Sequence, residues 1–187
     1  MKRSRVGITG SPATGKKTVG KALAARLDVP FLSLNDVARR AGFVARARAG
    51  EPKLDTRGFS RVANRYLPQS GFVLAGVLLA EAVPARLLDY VVVLRCSPLV
   101  LAERYRERGY PERKRKENLT AEFLDECLGE ALIAYRRKVR EVDTTGKDLQ
   151  AVVGEVGATL KKGDFPVGRL DWLSLVKGPE DVFRFML

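Results

Sequence analysis

The stretch Val6-Gly7-Ile8-Thr9-Gly10-Ser11-Pro12-Ala13-Thr14-Gly15-Lys16-Lys17-Thr18 decides the fold of this 187-residue chain. Val6 to Thr9 is an apolar run of strand length, and Gly10 to Gly15 supply turn residues. From there the period changes, with Val19, Leu23 and Leu27 recurring at helical spacing. A strand, then Gly10, Gly15 and Lys16 at the spacing G-x-x-x-x-G-K, then a helix, make a phosphate-binding loop. Glycines let backbone N–H groups converge on phosphate oxygens, and the following helix presents its positive end to the same anion. Lys16 is placed to reach the β- and γ-phosphates. A nucleoside triphosphate is therefore expected between Gly10 and Thr18.

The eighth position of the pattern departs from expectation. A Ser or Thr there would ligate Mg²⁺, whereas this chain has Lys17, and the hydroxyl comes one residue later at Thr18. One helical residue turns a side chain by about 100°, so Thr18 does not simply take over the metal, and no metal ligand is assigned. Lys17 either brings an ammonium to the phosphates in place of part of the cation's charge, or points to solvent.

Outward from the loop, strands and helices alternate. Residues 30–34 read as a second strand, with Asn35 or Asp36 as the cap of a short helix. Residues from about 42 to 57 lack periodicity and carry Gly42, Gly50 and Pro52, which predicts a mobile insert. A helix is expected from Phe59 to Leu67. Residues 72–75 and 89–95 are near-continuous apolar runs, the mark of central strands covered on both faces. Ser97-Pro98 starts a helix that ends at Gly109. Thr120 caps an expected long helix whose Phe123, Cys127, Ala131, Tyr135, Val139 and Val142 form one apolar stripe. Residues 142–144 read as a last strand and 149–160 as a last helix. The alternation implies βαβ units and a three-layer α/β/α P-loop NTPase fold with a central parallel sheet. One domain is expected over 1–162, followed by a tail, 163–187, whose Pro166, Trp172, Phe183 and Phe185 pack back on it.

Composition narrows the function classes. With no histidine and two cysteines, Cys96 and Cys127, lacking ligand spacing, zinc catalysis and a histidine base are excluded, and the thiols read as buried. No apolar run approaches the roughly 18–20 residues of a membrane span, and the basic N-terminus lacks the apolar core of a signal peptide. A cytoplasmic protein is expected. A formal net charge of +12 suggests a polyanionic neighbour, RNA or a ribonucleoprotein particle. Residues 112–116, Arg136-Arg137-Lys138 and Arg140 are the candidate contacts. The alternative is solvated faces paired with Glu122, Glu126 and Glu130.

These segments together resemble the adenylate kinase isoenzyme 6 family of archaea and eukaryotes. The likeness spans roughly residues 5 to 160 and is carried by the P-loop and Asn35-Asp36-Val37-Ala38-Arg39. It continues through Val93-Leu94-Arg95-Cys96, Glu103-Arg104, Arg108-Gly109-Tyr110, Lys116-Glu117-Asn118 and Asp143-Thr144-Thr145-Gly146, with Gly168-Arg169-Leu170-Asp171-Trp172-Leu173 in the tail. The resemblance implies a nucleoside-monophosphate-kinase-like enzyme or ATPase that uses ATP and Mg²⁺ to transfer or hydrolyse the γ-phosphate, with AMP one candidate acceptor, and a role in small ribosomal subunit (30S) maturation and rRNA processing. Its implied partner is a small-subunit ribosomal protein of the uS11 type or rRNA. By the same likeness, Ala13, Gly15, Lys16, Lys17 and Thr18 hold ATP, joined by Arg104 and by Arg108 from a lid at about 107–117. Lys16 and Arg108 are the implied catalytic residues. The monophosphate-binding region, about 33–56, contributes Asp36 and Arg39. Arginine suits these tasks because its planar fork grips phosphate in a bidentate way and stays charged.

A second departure lies after the third strand. The family carries an acid there and a histidine two positions later, whereas this chain has Ala75-Gly76-Val77, with Glu81 the nearest acid on the following helix. Together with Lys17, this leaves the Mg²⁺ site degenerate. Phosphoryl transfer needs little from a protein besides positioning and charge neutralisation, so the loss predicts a rate lower by on the order of thousands-fold, with binding less affected. The alternative is a nucleotide-binding assembly factor with residual or no catalysis. A more distant third is a kinase of another small acceptor, such as a nucleoside or shikimate.

Overall fold

Apolar runs that do not alternate need cover on both sides, and the central strands receive it. The computed structural model describes residues 4–45, 53–161 and 166–175. The elements are β1 (Arg5–Thr9), α1 (Lys16–Leu27), β2 (Phe31–Ser33), α2 (Leu34–Arg40), β3 (Val44–Ala45), β4 (Lys53–Leu54), α3 (Thr56–Tyr66), β5 (Phe72–Ala75) and α4 (Leu79–Ala82). They continue with β6 (Tyr90–Arg95), α5 (Pro98–Glu107), α6 (Glu112–Phe123), α7 (Glu126–Tyr135), β7 (Val139–Asp143) and α8 (Leu149–Thr159). The main sheet runs β2-β5-β1-β6-β7, with every pairing parallel. One face packs Val19, Leu23 and Ala24 of α1 and Val152, Val153 and Val156 of α8 against Val6, Ile8, Val73 and Val92. The other face packs Phe59 of α3, Leu79 of α4 and Leu128, Ala131 and Tyr135 of α7 against Leu74, Val91 and Val93. This is the expected three-layer α/β/α arrangement.

Strand β1 neighbours β5, and the connections leaving their C-terminal ends diverge, to α1 on one face of the sheet and to α4 on the other. Ligands of open parallel sheets bind in the crevice that opens at such a point, which here is the P-loop.

Three local expectations are corrected. The N-cap of α2 is Ser33, ahead of Asn35 and Asp36, which lie inside the helix. The ends of the insert pair as the antiparallel strands β3 and β4, while 46–52 lie outside the described residues. The long helix is broken: α6 stops at Phe123, Asp125 turns at φ 56°, and α7 restarts at Glu126. Its stripe is real as far as Tyr135, but Val139 and Val142 belong to β7. The basic surface changes with it. Residues 112–116 open helix α6, Arg136–Lys138 form a 3-10 turn, and Arg140 is buried in β7 with its guanidinium over the Tyr90 ring. Glu122 is likewise buried, 1% exposed, so it is no surface partner for those cations. In the tail, Trp172 does dock on the domain (below), while Phe183 and Phe185 lie outside the described residues.

Candidate active site at the P-loop

The chain leaves β1 through Gly10, whose φ of +135° and near contact with β6 admit no side chain: a Cβ there would lie 2.2 Å from the Leu94 carbonyl oxygen. Gly15, at φ 94°, starts α1 without any side-chain cap, leaving the first helical N–H groups open to an anion. Between them the crown of the loop is braced from α5. The Tyr105 hydroxyl donates to Pro12 O at 2.9 Å and Arg104 donates to Ala13 O at 3.0 Å. Arg104 is thus a support of the loop backbone, and it does not line the cavity beside the loop. Inside the loop, Lys16 Nζ donates to Gly10 O (2.9 Å) and Ser11 O (2.7 Å).

A cavity of about 680 Å³ opens over this loop. Ala13, Gly15, Lys16, Lys17 and Thr18 form its floor, Asn35 and Val77 one wall, and Arg108, Tyr110, Lys114, Glu117 and Asn118 the opposite wall. Its volume suits a nucleotide-sized ligand, and four cations on its lining suit phosphate. Lys17 is exposed and faces the cavity, which favours the first of its two readings. Of the residues expected at the acceptor phosphate, neither Asp36 nor Arg39 reaches this space. They pair with each other at 3.1 Å and line a separate depression with Lys21 and Arg40. Asn35, Tyr110 and Lys114 also line the cavity; no residue pattern marks them for this role, although each sits beside an expected site residue or within the lid segment.

The site residues do not fit a protein-held Mg²⁺. Hard cations demand several oxygen ligands, and here Thr18, two amides and the rim carboxylate of Glu117 face Lys16, Lys17, Arg108 and Lys114. Among the described residues no group of three or more His, Cys, Asp or Glu could hold a metal. Ala75, where the resembled family carries an acid, is buried in the core at 4% exposure and does not line the cavity; Val77 alone of that stretch does. Glu81 bonds Thr56 Oγ1 at 3.0 Å, at the start of α3.

Burial lowers the Lys16 ammonium from its ordinary value to about 8, with nearby Arg108 adding repulsion and Glu122 working the other way. Phosphate binding favours the charged form, so nucleotide binding above pH 8 takes up a proton at Lys16. Affinity is expected to fall as pH rises past about 8, by up to ten-fold per pH unit until the pKa of the complex is reached. Calorimetry at pH 8.5 in buffers of different ionisation enthalpy would read this uptake. A buffer-independent heat would contradict it.

Residues 6–125 match the family described as AAA domain. A protein of Thermococcus onnurineus (strain NA1) named "Putative adenylate kinase" is 39% identical over 168 residues, covering 89% of this chain and 90% of that protein. One of the same name from Methanocaldococcus jannaschii is 30% identical over 170 residues, 90% of this chain and 92% of that protein. Among solved structures, a shikimate kinase from Bacteroides thetaiotaomicron superposes with a TM-score of 0.51 at 18% identity, covering 85% of this chain and 99% of that one. That likeness carries the α/β P-loop fold alone.

Proposed function

We infer function from one premise: this chain belongs to the P-loop family described as AAA domain and is a homologue of archaeal proteins named "Putative adenylate kinase". We propose that it binds ATP and transfers the γ-phosphate to a nucleoside monophosphate, AMP in the first instance. The observation that carries this reading is the cavity that brings Lys16, Lys17, Arg108 and Lys114 together around an uncapped helix start. In the transfer, an oxygen of the acceptor phosphate attacks the γ-phosphorus, the bond to the β–γ bridging oxygen breaks, and ADP leaves. Charge spreads over the transferring oxygens, and the four cations stabilise it in place. Lys16 and Arg108 are the proposed catalytic residues, with Ala13, Gly15 and Thr18 holding the phosphates. The segments 107–117 and 33–56 are proposed as the lid and the monophosphate-binding region; Asp36 and Arg39 would reach the acceptor only if the latter closes.

Turnover is proposed to be slow, because residues 75–77 bring no carboxylate to the cavity where the isoenzyme 6 family that the sequence resembles carries one. A variant combining Lys17→Thr with Val77→Asp supplies a hydroxyl and a cavity-facing acid without burying charge at Ala75. Its Mg²⁺-dependent turnover should exceed wild type by about ten-fold or more, a change of roughly 1.4 kcal/mol in barrier, with ATP affinity little changed. Fast wild-type turnover that the double variant does not improve would overturn this account.

A second reading, in which the protein is a nucleotide-responsive factor of small-subunit ribosome maturation in the cytoplasm, is favoured by one surface. Arg57, Arg61 and Arg65 recur four residues apart on α3, all exposed and without an ion-pair partner among the described residues. Arg65 and Arg40 flank Tyr66, 45% exposed, in a depression of about 530 Å³. Arginines beside an open aromatic ring suit a nucleic-acid strand. Among the described residues no helix is long and apolar enough to cross a membrane. Replacing the three arginines by Glu should abolish retention on immobilised rRNA fragments at low salt while ATP affinity stays unchanged. Retention equal to wild type would remove the RNA arm, and capture by a uS11-type protein tests the other.

A further inference from the structure

Behind the P-loop, away from the cavity, lies a buried charge cluster that the proposed chemistry does not use. Arg95, 1% exposed at the end of β6, donates to Glu122 Oε1 at 2.7 Å and Glu141 Oε1 at 3.0 Å, and pairs with Asp125. Three carboxylates thus face one guanidinium: Glu122 and Glu141 are almost wholly buried, an excess of one negative charge where water is excluded, and Asp125 meets Arg95 from the rim with 40% of its side chain exposed. Backbone and side-chain donors supply the remainder. Cys96 N donates to Glu122 Oε1 at 3.2 Å, and Ser11 of the P-loop donates to Glu122 Oε2 at 2.6 Å. The other donors come from the C-terminal segment. Gly168 N and Arg169 N donate to Glu141 Oε2 at 2.7 and 3.0 Å, and Trp172 Nε1 donates to Glu122 Oε1 at 3.1 Å. The Trp172 ring also lies under the Arg95 guanidinium, 5.8 Å from its centre.

One carboxylate, Glu122, therefore touches three parts that a nucleotide would affect. Its Oε2 holds the P-loop and its Oε1 holds the tail. Its own helix, α6, carries the cavity residues Glu117 and Asn118 within a turn and a half and Lys114 just over two turns away. Phosphate entering the loop has two consequences. Phosphate competes with the carbonyls of Gly10 and Ser11 for the Lys16 ammonium, two of whose three donors they hold, and Ser11 is the residue whose hydroxyl holds Glu122. It also adds negative charge next to a cluster already negative, so each donor on Glu122 matters more.

We propose that the C-terminal segment 166–175 is a nucleotide-sensing strap, and that docking of Trp172 on Glu122 and binding of phosphate in the P-loop strengthen one another. Glu122 is the positioning residue that joins them. Linkage makes the effect reciprocal: ATP tightens the strap, and loss of the strap weakens ATP. This rests on the ATP reading above.

Trp172 is the chain's single tryptophan, so its emission reports the strap without any label. The experiment is acrylamide quenching of Trp172 in the full-length wild type, with and without saturating ATP. It is paired with ATP affinity from a fluorescent nucleotide in wild type and Trp172→Phe. ATP is expected to lower the quenching constant, and Trp172→Phe, which keeps an aromatic ring but removes the donor, is expected to weaken ATP about five-fold or more, the low end of site-to-site coupling. Binding of ATP with unchanged quenching, or a folded Trp172→Phe variant with wild-type affinity, overturns the strap alone. If ATP does not bind at all, the ATP reading falls and the strap falls with it.

Discussion

Lys16→Ala is expected to lower ATP turnover by about 10²- to 10³-fold, the usual cost of removing one preorganised charge-stabilising donor, while the protein stays folded. Lys16 follows the loop glycine at the start of α1, and among the described residues its ammonium donates to the loop carbonyls of Gly10 and Ser11. Its pKa of about 8 records that burial of this charge is unfavourable until an anion arrives. Its interactions with phosphate therefore appear in nucleotide binding and in the transition state, not in the stability of the free protein. An assay of ADP formation at saturating ATP, alongside a thermal melt, separates the two. A variant with wild-type turnover would show that the loop is not the reacting site, and a variant that unfolds would show that Lys16 is structural.

Arg95→Met is expected to have the largest effect on stability. The substitution keeps most of the side-chain volume but strands two carboxylates that are almost wholly buried, Glu122 and Glu141. Breaking a buried pair from one side costs about 3–5 kcal/mol, against a whole-protein stability of roughly 5–15 kcal/mol. For a chain of this size that is a fall in melting temperature on the order of 10 °C. The contrast is Arg39→Met, which removes the exposed pair with Asp36 and should cost less than about 1 kcal/mol. Thermal melts followed by circular dichroism would compare the two, and equal effects would contradict the weight given to the cluster. Uncovering the same carboxylates by ending the chain before Gly168 should destabilise in the same direction.

The parts of the fold legible in the sequence are those set by neighbouring residues. The strand, loop and helix of the P-loop follow from glycine positions and a change of period within 23 residues. The Ser97-Pro98 helix start and the unalternating runs of β5 and β6 are local in the same way. The break between α6 and α7 was not legible, because the apolar stripe continues across it. What interrupts it is tertiary: Glu122 and Asp125 turn inward to Arg95, 27 and 30 residues away in sequence. Arg95 itself ends an apolar run and gives no local sign of burial, since its partners come from three separate elements. The candidate site divides along the same line. Gly15, Lys16 and Lys17 of the cavity floor follow from the loop pattern, and Ala13 and Arg108 from the resemblance. The placing of Arg104 under the loop and of Arg39 outside the cavity depends on how α5 and α2 pack, which spacing does not encode.

The most direct test of the central claim is the conversion of ATP and AMP to ADP by the purified full-length protein, followed by chromatography, with Lys16→Ala as the control. The account predicts slow ADP formation that requires both nucleotides and is lost in Lys16→Ala. No ATP binding by the folded wild-type protein, or ADP formation that persists in Lys16→Ala, would contradict it.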